Sequence, residues 1–253
     1  MTRTARFVSL AAAVAGLVAP LATAHAQKEG KPTVAILYFN NGSFGPSAKD
    51  YDGLNKGIPD FLITDMSANP NIRVIERGEV QKLVDEQKLT KDGHVDQATA
   101  VKVGKLLGAQ HMIFGTFMTD PKGNFRIDAR AVNVETSAIE HVERVDDKAD
   151  NIMTSIGTLA SKLNAGMHLP AMPARRTGDA SPAAGAAAGA QQAGAPTATQ
   201  KLPMRVAVLY GKALDAKDHG EKAKAVEYFN QVLKEFPSYE PAHKEKASMS
   251  QGT

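Results

Sequence analysis

Cysteine and tryptophan are both absent from this 253-residue chain, and aromatic residues make up only 6% of it. Without cysteine, the chain has no disulfide framework, no thiol nucleophile and no residue after a signal sequence to carry a lipid anchor. The formal net charge is only +3. Because phosphate binding requires a clustered basic excess, we expect no nucleic-acid partner.

Common enzyme signatures are missing as well. The chain contains no G-x-S-x-G elbow, no H-E-x-x-H pair, no G-x-x-x-x-G-K-[ST] loop and no C-x-x-C pair, which disfavours the common hydrolase, metalloprotease, P-loop and redox classes. It also offers no cluster of His, Asp and Ser from which to build a pocket of converging polar groups. We therefore expect no enzymatic activity, no catalytic residues, no cofactor and no metal.

Long apolar runs are absent after the first 26 residues. Those residues contain, in order, the basic Arg3 and Arg6, the apolar residues 7–21 and the small-x-small sequence Ala24-His25-Ala26. This pattern predicts a secretory signal peptide cleaved after Ala26. An uncleaved anchor is the alternative, but Pro20 interrupts the run, which is short for a span of about 20 residues. We expect a mature chain outside the cytoplasm, without an integral transmembrane segment.

Short apolar runs alternate with helical patterns over residues 33–167. Strands are predicted at residues 33–39, 72–75, 111–117, 125–134 and 139–145. Helices are predicted near residues 54–62, 80–87, 96–108 and 148–167, with Asp96 as the cap of the third and Gly108 at its end. The order β-α-β-α-α-β-β-β-α predicts an α/β (α+β) fold in which helices cover a mixed sheet.

Three short segments are candidate functional sites, each with an ordinary structural alternative. The loop at residues 42–47 lies between a strand and a helix, where it either cradles a phosphate or simply connects the two. Asp92, His94 and Asp96 are either metal ligands or a turn followed by a helix cap. Glu76-Arg77 is either a contact between protomers or a local ion pair at a helix start.

The composition changes at residue 168. Residues 168–202 are rich in Ala, Gly and Pro and contain no aromatic residue, so they cannot bury enough apolar surface to order themselves. The chain is therefore predicted to consist of a signal peptide at 1–26, an α/β domain at 27–167, a disordered linker at 168–202 and a helical repeat at 203–253.

The last of these segments resembles a tetratricopeptide repeat. The small, small, aromatic, small apolar and proline positions of that repeat are occupied by Ala213, Ala225, Phe229, Val232 and Pro237, whereas Lys212 stands where the repeat usually has Leu. A single repeat cannot bury its apolar face alone, so we expect this hairpin to dock on the main domain, on a second copy or on a partner. The candidate partner-binding residues are Leu209, Tyr210, Tyr228, Phe229 and Tyr239, with burial in the repeat core as the alternative.

The motifs of the α/β part resemble one envelope family. They are residues 34–39, Gly53 with Leu54, and residues 74–77, 86–89 and 104–115. In this order they resemble the periplasmic domain of the curli production assembly and transport (CsgG/HfaB) family over residues 33–167. Members of that family are often outer-membrane lipoproteins, a feature that this cysteine-free chain does not share.

The resemblance implies a non-enzymatic periplasmic protein, soluble or associated with the outer membrane, that assists assembly or export of surface material. The partners it implies are envelope proteins, including outer-membrane or surface-fibre components, and a homo-oligomer. The same architecture resembles periplasmic activators of cell-wall synthases and the amino-terminal domain of the Tol-system translocation protein, so a binding module is the alternative. A small-ligand-binding protein or an enzyme is the third alternative.

Overall fold

The computed structural model describes residues 30–88, 95–120, 122–172 and 202–250. The strands in these ranges are β1 (Thr33–Asn41), β2 (Arg73–Val74), β3 (His111–Thr119), β4 (Asn124–Asn133) and β5 (Ile139–Lys148). The α-helices are α1 (Leu54–Ser67), α2 (Arg77–Gln87), α3 (Gln97–Leu107), α4 (Ile152–Gly166), α5 (Met204–Asp218), α6 (Lys222–Glu235) and α7 (Glu240–Ser250). All belong to one compact unit that begins at Lys31. No helix among these seven has both the length and the apolar character that a membrane crossing requires.

Several predictions concern residues outside the described ranges. They are the signal peptide at 1–26, the candidate ligands Asp92 and His94, and residues 173–201 of the linker. Both ends of the predicted linker are described. Leu169 is 9% exposed and Leu202 is 2% exposed, and both side chains belong to the same hydrophobic core.

The five strands form one mixed sheet in the order β2-β1-β3-β4-β5. β1 runs parallel to both β2 and β3, whereas β3, β4 and β5 pair antiparallel. The order of helices and strands is the one that the sequence predicts. The α/β fold class with a helix-covered mixed sheet is confirmed.

Helices cover both faces of this sheet. One face packs against α1 and α4 in a core that includes Phe61 and Leu159, and the other packs against α2 and α3 in a core that includes Val84 and Val103. β1 is buried between these layers, because none of residues 34–39 is more than 6% exposed. A continuous apolar run suits such a central strand. The carboxyl end of β1 therefore lies between the two helical layers.

β4 alternates between core and surface along its length, as the sequence predicts. Phe125, Ile127 and Ala129 are at most 2% exposed, because alternate side chains of a strand point to the same face. Arg126 and Asp128 lie on the opposite face, where the guanidinium donates two hydrogen bonds of 2.6 Å to the carboxylate.

The third helix has both of its predicted ends. Asp96 Oδ1 accepts a hydrogen bond of 2.8 Å from the backbone N–H of Thr99 at the start of α3. Gly108 ends the helix with φ at 65°, a left-handed conformation that glycine adopts without a steric cost. This cap also holds the pKa of the Asp96 carboxyl below its ordinary value, because the hydrogen bonds from Thr99 favour the ionised form.

Asp96→Ala is expected to lower the free energy of unfolding by about 1 kcal/mol, because the first turn of α3 loses a hydrogen-bond acceptor. Chemical denaturation of both proteins measures the difference. Glu76→Ala is the matched control, since Glu76 occupies the same position before α2 without a side-chain capping bond. Equal losses in the two variants would contradict capping as the cause.

Candidate functional site

The C-terminal helical hairpin docks on the main domain, which is one of the three docking partners that the sequence leaves open. α5 packs on α1, α6 packs on α5, and α7 packs on α6. The Tyr210 ring of α5 stacks on Phe61 of α1 with 5.6 Å between ring centroids and meets Tyr239 edge-on at 5.3 Å. The hairpin therefore packs on α1 and extends the hydrophobic core on that side of the protein.

The five candidate partner-binding residues divide between core and surface. Tyr210, Phe229 and Tyr239 are at most 2% exposed, so they fill the core of the docked hairpin and present no surface to an outside partner. Leu209 and Tyr228 are partly buried at the margin of that core. Of the five, only these two remain accessible.

Glycines bring α1 and α5 into close contact. A Cβ atom added to Gly211 of α5 would lie 1.8 Å from the carbonyl oxygen of Gly53, at the start of α1. One added to Gly53 would lie 2.2 Å from the carbonyl oxygen of Val208. Both obstacles are backbone atoms, which cannot move aside as a flexible side chain can. The docked position of the hairpin therefore depends on these two glycines.

Charged side chains are buried beneath the docked hairpin. This docking cluster consists of Lys56 and Asp60 of α1, Arg77 and Gln81 of α2, and Tyr210 and Asp218 of α5. Arg77 donates from Nη1 to Asp218 Oδ2 at 2.5 Å, and its Nε lies 3.4 Å from Asp60 Oδ1. Lys56 Nζ lies 3.7 Å from the same Asp218 oxygen. Two cations and two carboxylates thus balance one another, and the Arg77 and Asp218 side chains are only 8% and 7% exposed.

Arg77 does not form the local ion pair that is one of the two alternatives for Glu76-Arg77. Its partner Asp218 is 141 residues away in the chain, at the end of α5. A reading of neighbouring residues cannot show such a contact. Glu76 is exposed, and the other alternative, a contact between protomers, stays a prediction.

Gln81 connects the docking cluster to the sheet. Its Oε1 accepts hydrogen bonds from the Tyr38 hydroxyl and from the Lys56 ammonium, and its Nε2 donates to Asp85 Oδ1 at 2.7 Å. Lys56 Nζ also lies 3.6 Å from the centre of the Tyr38 ring, a cation–π distance. These contacts hold α1 and α2 together beside the carboxyl end of β1.

Burial changes the ionisation of the docking cluster. It raises the pKa of the Asp60 carboxyl to about 6, although the Arg77 charge and the Tyr210 hydrogen bond favour the ionised form. Burial also lowers the pKa of the Lys56 ammonium, with the Asp218 charge acting in the opposite direction. For Arg77, burial alone would lower the pKa, but the hydrogen bond and charge of Asp218 outweigh it and the pKa rises.

Asp60 is expected to make the folded protein less stable as pH rises from about 4 to about 6. The folded carboxyl, with its pKa of about 6, holds a proton in this range that the unfolded carboxyl has already released, so the unfolding free energy falls with increasing pH. The unfolding free energy of the wild type relative to Asp60→Asn should therefore drop by on the order of 2 kcal/mol between pH 4 and pH 7. Denaturant titrations at a series of pH values test this, and a difference independent of pH would contradict it.

A polar cleft of about 780 Å³ opens beside the docking cluster. Its walls come from the carboxyl end of β1, the start of α1, helix α2, and helices α5 and α6 of the hairpin. From β1 the chain passes through α1 on one face to β2, and then through α2 and α3 on the other face to β3. Ligands of open α/β sheets bind at such a switch point, outside the carboxyl ends of the strands.

The sequence offers no cluster of His, Asp and Ser, but the fold brings polar residues from distant segments together in this cleft. Tyr38, Asn55, Lys212 and His219 are among the polar residues that line the cleft. Six of the sixteen residues that line the cleft come from the hairpin, which the sequence separates from the α/β domain by the linker. The pocket therefore exists only because the hairpin is docked, and the glycines of α1 and α5 are the one sequence signal of that contact.

The loop at residues 42–47 acts as a connection between β1 and α1. The backbone N–H of Gly42 donates to the Phe117 carbonyl at 2.8 Å. The Ser43 hydroxyl lies 3.1 Å from the Thr119 hydroxyl and accepts from its backbone N–H at 3.0 Å. The polar groups at the start of this loop are thus engaged with the end of β3. Phe44, in contrast, is 65% exposed.

Asp96 is the described member of the three candidate metal ligands, and its carboxylate caps α3. No group of three or more His, Cys, Asp or Glu side chains in the described ranges is arranged to hold a metal ion.

Sequence comparison shows a similarity between the first part of the chain and one known family. Residues 19–119 match the sequence model of the family described as the curli production assembly/transport component CsgG. Because of this similarity, we refer to residues 19–119 as the CsgG-family segment. The match confirms the resemblance in the sequence motifs, and it ends at Thr119, the last residue of β3. The other strands of the antiparallel part, α4 and the hairpin lie beyond the CsgG-family segment, which covers less than half of the chain.

Solved structures similar to this chain come from several bacteria. The LpoB C-terminal domain from Salmonella enterica is 10% identical with a TM-score of 0.34, covering 47% of this chain and 84% of that one. Lipoprotein GNA1162 from Neisseria meningitidis is 14% identical with a TM-score of 0.38, covering 54% and 94%. The PelC dodecamer from Paraburkholderia phytofirmans is 10% identical with a TM-score of 0.31, covering 54% and 88%. No curated protein matches the chain.

Proposed function

We propose that this chain is a non-enzymatic periplasmic protein that assists the assembly or export of surface material. The observation that carries the proposal is the CsgG-family segment, because the family is described as a component of curli production, assembly and transport. The family match supports an envelope protein in general. The proposal goes beyond that match in three points, which are the periplasmic location, the absence of catalysis and the kind of cargo.

The docked hairpin supplies the contact surface in this proposal. α1 covers α5, so an outside partner would meet the hairpin on α6 and α7. Glu227, Asn230 and Lys234 are exposed on α6, and their spacing of three and four residues places them on one face of the helix. Charge reversal on this face changes the contact surface without touching the docking cluster.

A crosslinked pull-down of the tagged, full-length protein from whole envelopes tests the proposal. The comparison protein is the double variant Glu227→Lys with Lys234→Glu, which reverses two charges on the exposed face of α6. We expect the wild type to enrich outer-membrane or surface-fibre components and the variant to lose them. The matched control is Lys82→Glu with Glu86→Lys on α2, where both side chains are more than half exposed.

Two other results of the pull-down would contradict the proposed function. Enrichment of cell-wall synthases would replace this function with that of a synthase activator, and capture of no partner by the wild type would reject an assembly role. Truncation after Met167 is unsuitable as a comparison, because it would expose Phe61 and the rest of the α1 face that α5 covers.

A further inference from the structure

β5 forms the outer edge of the sheet. In the part of the chain that the structure describes, β5 is the last strand of the sheet order and pairs with β4 alone. It is ten residues long and contains no proline, whereas β2 at the other edge has two residues. The backbone N–H and C=O groups along an edge strand can pair with a strand from another chain. β5 therefore offers a long edge to a further strand.

The exposed surface of β5 is partly apolar. Four large apolar side chains are exposed in the described ranges, and two of them, Ile139 and Val142, lie on this strand. Val142 is 58% exposed, and the Arg144 side chain two positions further on is 54% exposed. A strand that paired with β5 would remove part of Val142 from water, which is favourable.

The charges of β5 favour a second copy of the same strand as the partner. β5 carries charged residues of both signs, which are the acidic Glu140, Glu143, Asp146 and Asp147 and the basic Arg144 and Lys148. Like charges directly opposite each other in an antiparallel pair are destabilising. A partner strand of one charge sign would therefore oppose part of β5, whichever sign it carried. A strand with the same mixture of charges can avoid this conflict if its register is suitable.

Symmetry limits the registers in which two copies can pair. Successive side chains of a strand point to opposite faces, so an antiparallel pair related by a two-fold axis has one residue opposite its own copy. The pairing of β5 with β4 is regular over residues 141–148. A pair centred on Arg144 joins residues 141–147 of both copies, and one centred on Val145 joins residues 142–148. Any other centre pairs fewer residues of the regular stretch.

The charges distinguish these two registers. With Val145 at the centre, Glu143 lies opposite Asp147 in both halves of the pair, and Arg144 faces Asp146, to which it is already bonded within β5. With Arg144 at the centre, each acidic residue of β5 lies opposite a Val, a His or a Lys of the second copy. The like-charged contact of this register is Arg144 with its own copy, and each guanidinium already donates two hydrogen bonds, of 2.5 and 2.8 Å, to Asp146. The register centred on Arg144 is therefore the more favourable one.

We propose that two copies of this chain join through β5 in an antiparallel pair with Arg144 opposite its own copy. The two five-stranded sheets then become one continuous sheet. Such an interface is isologous, because the same edge of each copy contributes to it. It uses no residue of α6, so it is independent of the contact surface in the proposed function.

Sedimentation analysis of the full-length mature protein tests whether it dimerises. In the proposed register Val142 lies opposite Asp146 of the second copy. Val142→Asp should therefore weaken the dimer about tenfold, because like charges then meet in both halves of the pair, whereas Val142→Lys should leave the dimer at least as tight as in the wild type. Leu106→Asp is the matched control, since Leu106 is 51% exposed on α3, and it should not change the dimer. A wild type that is monomeric at micromolar concentrations, an assembly of more than two copies, or a dimer that Val142→Asp leaves intact would overturn the proposal.

Single cysteines test the register, because the natural chain contains none. Arg144→Cys would place two thiols across the two-fold axis with their Cα atoms about 4.5 to 5.5 Å apart, within the range of about 4.4 to 6.8 Å that a disulfide spans. Asp146→Cys is the matched control. Its position is as exposed as that of Arg144, but it lies opposite Val142, so its two thiols are too far apart to join. Under a mild oxidant, Arg144→Cys should give a covalent dimer on a denaturing gel and Asp146→Cys should not. Crosslinking of Asp146→Cys alone, of both variants equally or of neither would contradict the proposed pair.

Discussion

Asp218→Ala is expected to lower the free energy of unfolding by about 3–5 kcal/mol. The change removes the carboxylate that Arg77 contacts at 2.5 Å and Lys56 approaches at 3.7 Å. Both cations then stay buried with Asp60 as their only remaining carboxylate in the docking cluster. Breaking a buried ion pair from one side costs more than the pair contributes, because the partner charge remains out of water. Chemical denaturation of the full-length protein measures the loss.

The double variant Arg77→Met with Asp218→Ala distinguishes this cause from a general packing defect. Removing both charges leaves Lys56 and Asp60 to balance each other, so the double variant should be more stable than Asp218→Ala alone. Glu221→Ala serves as the control, since its ion pair with Lys224 is about half exposed on both sides and should contribute little. A double variant less stable than the single one would refute the charge explanation.

Gly211→Ala is expected to displace the hairpin and to lower the free energy of unfolding by about 3 kcal/mol or more. The new methyl group would lie 1.8 Å from the Gly53 carbonyl oxygen. Since that oxygen belongs to the backbone, α5 has to move away from α1 or lose its contact altogether. In the variant, the increase in amide hydrogen exchange relative to the wild type should therefore be larger in α5 and in the first turns of α1 than in β4.

Gly78→Ala provides a matched control for the same chemical change. Gly78 lies in α2, and no atom is within 4 Å of an added Cβ. Because alanine is the better helix former, this variant should be as stable as the wild type or slightly more stable. If both glycine variants lost the same stability, the close approach of α1 and α5 would not be the cause.

The secondary structure and the order of elements were predictable because their signals are local. Hydrophobic spacing within ten residues identifies β1 and α1, and the capping residue Asp96 and the terminal Gly108 mark the ends of α3. The alternation along β4 likewise follows from neighbouring residues alone. Each of these features depends on the residues of one segment alone.

The docking cluster was not predictable, because charge in a sequence normally marks an exposed position. Lys56 and Asp218 occupy helix positions that read as solvent-facing, and they are buried only because each meets an opposite charge from a distant segment. The spacing of apolar residues also could not show which surface the hairpin packs against. A glycine inside a helix is costly, so Gly57 in α1 and Gly211 in α5 could have indicated a close helix crossing.

The hairpin's position also has a consequence for the order of folding. The Tyr210 hydroxyl donates to Asp60, 150 residues earlier in the chain, and contacts of such sequence separation form slowly because a long loop must close first. A chain that emerges amino terminus first exposes the apolar side of α1 until α5 arrives. Over that interval the protein is most prone to aggregation, so its yield should depend on chaperones that bind unfinished chains.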